Sequence, residues 1–91
     1  MENKEFYINK LSNILKEENI PSSYYNFNGY AEESVCLEQL TYSFLVYTAE
    51  RNNKYAPTEH TNIIDACKDI ISRLSKSKEE YNKILNKLLN K

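Results

Sequence analysis

The chain has 91 residues, 41% of them apolar and 27% charged, with 12 basic groups against 13 acidic ones. That length holds one hydrophobic core and excludes a barrel or a doubly wound sheet, and the composition excludes a disordered segment. The near balance of charge lacks the basic excess that marks a polyanion binder.

Residues 2–19 read as a helix, with Tyr7, Leu11, Ile14 and Leu15 in i, i+4, i+7, i+8 spacing and lysines and glutamates over the remaining surface. Pro21 disfavours helical backbone at Ile20 and ends the element. Residues 24–58 read as sheet. Tyr24, Tyr25 and Phe27 lead into Asn28-Gly29, a hairpin signal built on the chain's one glycine. Val35 and Leu37 then share one face with Cys36 opposite, and the run Tyr42 to Ala49 is apolar on both faces, as a central strand is when a helix covers one side. Asn52-Asn53 reads as a second turn, and Lys54 to Thr58 as a short return strand limited by Pro57. The expectation is an antiparallel meander of three to four strands.

From residue 62 the period returns to that of a helix. Ile63, Ala66, Cys67, Ile70, Ile71 and Leu74 form one stripe, with Asn62 or Thr61 as the cap. Ser75 to Lys78 interrupts that stripe, and Ser77 with Glu80 opens a second capped segment carrying Tyr81, Ile84, Leu85 and Leu88. One continuous helix fits the phase, but helices over 62–74 and 78–90 fit the caps better. Helix, meander, helix, helix makes residues 1–91 a single α+β domain with its helices on one sheet face. No apolar run approaches the ~20 residues of a membrane span and no apolar leader is visible, so the chain reads as a soluble cytoplasmic protein without a membrane partner. Cys36 and Cys67 fall on apolar faces and read as reduced core thiols.

The sequence holds little that suggests catalysis. His60 is the one imidazole and sits beside Glu59 in a turn, so neither a metal site nor a Cys-His pair assembles around it. One glycine makes no phosphate loop. The glutamates read as a solvated face, because a sheet of this size offers no cleft to raise a carboxyl pKa. No enzyme, cofactor or metal is expected. Charge is unevenly spread: residues 1–60 carry nine acidic and five basic groups, and residues 61–91 four acidic and seven basic. Between residues 29 and 50 stand Glu32, Glu33, Glu38 and Glu50 with no Lys or Arg, interleaved with Tyr30, Tyr42 and Tyr47. Tyrosine suits binding surfaces and carboxylates suit a basic protein partner, although strands favour Tyr and solubility favours Glu on their own account.

Ile20-Pro21, Tyr25, Gly29, Glu33, Cys36-Leu37-Glu38, Val46-Tyr47, Glu50-Arg51 and Ala66-Cys67 at the head of an apolar helix make up a pattern across residues 20–74. It resembles that of small α+β immunity proteins encoded beside polymorphic or contact-dependent toxins in bacteria. The resemblance implies a binding protein that neutralises a cognate toxin domain, in some cases a basic nuclease, by covering its active site or a nearby surface. It implies an interface at Glu32, Glu33, Glu38, Tyr47 and Glu50, with Arg51 tying the strand end. Two other classes stay open for the lysine-rich C-terminal segment, which carries Lys76, Lys78, Lys83, Lys87 and Lys91. They are a nucleic-acid-associated regulator and an oligomeric scaffold; the sequence leaves the oligomeric state open.

Overall fold

A computed structural model describes residues 4–90; residues 2 and 3 of the expected first helix, and Lys91, lie outside the described residues. The chain runs α1 (Lys4–Glu17), a single 3-10 turn (Ser22–Tyr24), β1 (Tyr25–Asn26), β2 (Ser34–Gln39), β3 (Phe44–Glu50), β4 (Asn53–His60), α2 (Ile63–Leu74) and α3 (Lys78–Leu89). The four strands form one sheet in the order β1-β2-β3-β4.

The helices form where periodicity and caps agree. Asn62 accepts the Asp65 N–H at 2.8 Å to start α2, and Ser77 accepts the Glu80 N–H at 3.1 Å to start α3. Between them Ser75 is extended, and its N–H bonds back to the Ile71 carbonyl. Leu11, Ile14 and Leu15 of α1, Ile63, Ala66, Cys67, Ile70 and Ile71 of α2, and Ile84 and Leu88 of α3 join Phe27, Val35, Leu37 and Val46 in the main core. That core fills one side of the sheet. Both cysteines are buried and reduced.

The sheet differs from the expected meander in three places. β1 pairs parallel with β2, Tyr25 opposite Val35 and Asn26 opposite Cys36, so Asn28-Gly29 is not a hairpin turn. Instead the Asn26 side chain donates to the Gly29 carbonyl at 3.3 Å and accepts the Asn28 N–H at 3.4 Å, which bends the chain locally. The Gly29 N–H then reaches the Leu37 carbonyl, and residues 29–33 return over the sheet's second face, where the Ala31 N–H meets Cys36 Sγ at 3.4 Å. Second, the turn between β3 and β4 is Arg51-Asn52, not Asn52-Asn53. Both residues are left-handed, at φ 50° and 65°, closing a two-residue hairpin of the mirror-image type that matches strand twist.

Third, β4 runs to His60 and carries a bulge. Thr48 lies opposite Tyr55 but Val46 opposite Thr58, so Ala56 and Pro57 together oppose Tyr47, with Ala56 left-handed at φ 48°. The extra residue exchanges the faces of β4. Before it, Lys54 shares the second face with Ala49; after it, His60 turns toward the helices beside Phe44.

Arg73 of α2 holds this bulge. Its Nε donates to Asp69 at 2.8 Å, Nη1 to Thr48 Oγ1 at 3.2 Å and to the Tyr55 carbonyl at 3.3 Å, and Nη2 to Thr58 Oγ1 at 3.4 Å and to the Ala56 carbonyl. All five guanidinium donors are used. Asp69 also bonds His60 Nε2 at 2.8 Å, so the histidine expected in a surface turn ends a strand in a largely buried hydrogen bond.

Candidate functional site

The second face of the sheet, which no helix covers, is the candidate site. Alternation in β2 and β3 sends Cys36, Leu45, Tyr47 and Ala49 to this side, and with Ala31 they make a small separate cluster. Tyr47 is at its centre and is fully buried. The Tyr30 ring stacks on it at 6.1 Å between centroids and 23° between planes, and the Lys54 ammonium sits 5.0 Å from its centroid.

Three carboxylates of this face, Glu32, Glu38 and Glu59, are held by the chain itself. Glu38 accepts the Tyr47 hydroxyl and pairs with Lys54 at 3.0 Å, and these two contacts hold its carboxyl below the usual range, the tyrosine contributing most. Glu32 accepts the Tyr30 hydroxyl and the Asn52 N–H at 3.1 Å, which lower its pKa in the same order. Glu59 accepts the Ser43 hydroxyl. The partner hydroxyls are displaced the other way: Tyr30 is pushed up to about 12, mainly by its bond to Glu32, and Tyr47 is raised further, by burial first and by Glu38 second. Burial likewise raises Cys36, so its thiol stays protonated.

The five residues of the expected interface are only partly brought together. Glu38 and Tyr47 touch, and Glu32 joins them through Tyr30. Glu33 and Glu50 lie at one end of the β2–β3 pair, where Ser34 is opposite Ala49; both are exposed, without a hydrogen bond or ion pair among the described residues. Tyr47 presents no surface of its own and acts as the floor on which Tyr30 and Lys54 rest. Arg51 contributes its left-handed backbone to the turn, and the arginine that ties strands together is Arg73.

Tyr30 and Tyr42 were noted in the sequence as tyrosines among the glutamates but not placed in the interface, and Lys54 was missed. Tyr42, in the β2–β3 turn, is 91% exposed. Tyr30 is drawn in by the returning loop. Lys54 was out of reach because a turn at 52–53 would set it opposite Arg51, two pleat periods beyond Tyr47, whereas it lies opposite Ala49, one period away. The spacing Tyr30-x-Glu32, which lets a phenol meet a carboxylate two positions on, was the one available local signal.

The lysines of α3 serve a different purpose. Lys83 and Lys87 reach Glu18 at 3.2 and 2.6 Å, and Lys87 also approaches Glu17 at 3.9 Å, clasping α3 to α1. Among the described residues no three His, Cys, Asp or Glu side chains gather as a metal site would need, and no helix is long and apolar enough to cross a membrane. Comparison with protein-family models, curated proteins and solved structures finds no match to this chain.

Proposed function

We propose that this chain is an immunity protein of a bacterial toxin system, acting in the cytoplasm by binding and neutralising a cognate toxin domain, with no catalysis of its own. The resemblance in residues 20–74 suggests the class, and one observation carries the reading: the helices cover a single sheet face, while the other carries no helix and is overlaid only by residues 29–33 and interlocking side chains, whose Tyr30, Glu38 and Lys54 reach the surface. Fixed tyrosines and carboxylates lose little conformational freedom on docking, which favours recognition of another protein. Glu32, Glu38 and Glu59 on this face, with Glu33 and Glu50 exposed at the nearby end of the β2–β3 pair, favour a basic partner surface such as a nuclease domain offers.

The rival classes are less well supported. Two lysines of the C-terminal helix are engaged with Glu17 and Glu18, which leaves a poor track for phosphates. Ile84 and Leu88 are spent in the chain's own core and are not available to pair with a second copy.

The test is co-expression with the toxin domain encoded immediately upstream. Rescue of growth together with co-purification is the expected result; failure of both, with soluble protein and a toxic partner in hand, would overturn the reading. Glu33→Lys with Glu50→Lys leaves the fold intact, since neither side chain has an internal partner, and should slow association several-fold at low salt and less at high salt. An unchanged on-rate in that double variant would remove the β2–β3 end from the interface.

A further inference from the structure

We propose that Glu38, Tyr47 and Tyr30 form a built receptor for an arginine side chain of the partner protein, and that Lys54 fills it while the molecule is unbound. The proposal rests on the reading of the second face as a protein-binding face.

The receptor is rigid without its occupant. Glu38 is oriented from behind by the Tyr47 hydroxyl, and Tyr47 is fully buried, so the carboxylate keeps its direction when Lys54 leaves. Tyr30 is fixed by stacking on Tyr47 and by its bond to Glu32, which the Asn52 N–H anchors in turn. Lys54 is the accessible element: its side chain is 44% exposed, and Glu38 remains 26% exposed beside it. An ion pair of this kind and a cation–π contact at an exposed site are each among the weaker interactions of a folded chain. A lysine ammonium can be exchanged at such a place.

Arginine fits the seat better than the lysine it would replace. Its planar fork can take both oxygens of Glu38, and its plane can lie against the tyrosine rings, neither of which an ammonium can do. The surroundings favour a cation in general: residues 29–60 carry five glutamates against Arg51 and Lys54. A nucleic-acid backbone would be repelled by the same charges.

The experiment needs no toxin. A tetra-arginine peptide is titrated into the folded protein, with the amide resonances of Tyr30, Glu38, Tyr47 and Lys54 followed by NMR. Lys54→Met keeps the aliphatic stem and vacates the seat, and should tighten binding about five- to tenfold, the loss of one weak ion pair with its cation–π contact. Lys78→Met makes the same change of net charge on an exposed part of α3 and should leave binding near the wild-type value. Glu38→Gln added to Lys54→Met should abolish the gain, and tetra-lysine should bind more weakly than tetra-arginine. Equal tightening by Lys54→Met and Lys78→Met would reduce the effect to net charge, and no tightening by Lys54→Met would leave an internal salt bridge only; either outcome overturns the proposal. Peptide capture at the seat without growth rescue would fail the immunity reading alone. Rescue with an indifferent Lys54→Met would fail the receptor alone.

Discussion

Arg73 shows how much one side chain can carry in a chain of this size. Its five donors end on two hydroxyls, two carbonyls and one carboxylate, and four of those acceptors lie in or beside the bulged stretch of the sheet. Arg73→Met keeps the stem packed but leaves Asp69 with His60 alone and strands the bulge carbonyls, and should cost about 3 kcal/mol in urea denaturation, in the range for breaking one partner of a largely buried pair. A cost under about 1 kcal/mol would mean that water replaces the guanidinium. Tyr25 makes the opposite case: its buried hydroxyl has no hydrogen-bond partner among the described residues while its ring stacks on Phe27 at 5.2 Å. Tyr25→Phe removes the orphan hydroxyl and keeps the stack, so stability should hold or rise by up to about 1 kcal/mol. A clear loss on denaturation would reveal a partner for that hydroxyl. Nothing in the sequence marks Arg73 as special, because its acceptors are backbone groups of a bulge that no local pattern announces.

At the scale of elements, legibility followed the range of the forces involved. The helices were readable because period and caps are local: Asn62 with Asp65, and Ser77 with Glu80, act across three residues. The strands β2 and β3 were readable by alternation. β1 was not, because two residues in a parallel ladder are specified by what they meet ten positions away, and Asn28-Gly29 carries the same dipeptide signal whichever way the chain turns. The clasp between α1 and α3 was equally hidden, since Lys83 stands at i+4 from Glu79 and yet pairs with Glu18. Ending the chain after Leu74 removes Ile84, Leu88 and both clasping lysines. The truncated chain should lose several kcal/mol, on the scale of about 2–5 kcal/mol for each large aliphatic side chain taken from a core. A truncated form with an unchanged thermal transition would show that α3 is an accessory. Loss of stability in that variant therefore reflects the monomer's own core and says nothing of assembly.

For the molecule as a whole, charge sets a pH window. Glu18 is held below the usual carboxylate range, chiefly by its bond to Lys87 and then by Lys83; Glu32 and Glu38 are lowered by their tyrosines. A group with a depressed folded pKa contributes stability above its unfolded value near 4.5, and the contribution is lost as pH falls through the folded value. Denaturation midpoints should thus be level at neutral pH and decline below about pH 4.5, with the amide signals of Tyr30 and Tyr47 moving in the same interval. Glu38→Gln should flatten part of that decline; an identical acid profile would mean that Glu38 is as free in the fold as in the unfolded chain. The candidate face was legible in its composition only in part: of the four glutamates among tyrosines, Glu32 and Glu38 come together at Tyr47, while Glu33 and Glu50 stand apart at the strand ends. Its geometry was not, because Lys54 enters from another strand and the returning loop lays Tyr30 across it. The bulge at Ala56-Pro57 has one more consequence. β4 is the longer of the sheet's two edge strands, eight residues long and exposed almost throughout, a form that invites fibre growth by addition of further strands. Pro57 offers no donor there, the left-handed Ala56 breaks the line of the ladder, and Arg73 occupies the carbonyls on both sides of the break. A newcomer meets an interrupted template at that rim, which favours encounters made through side chains.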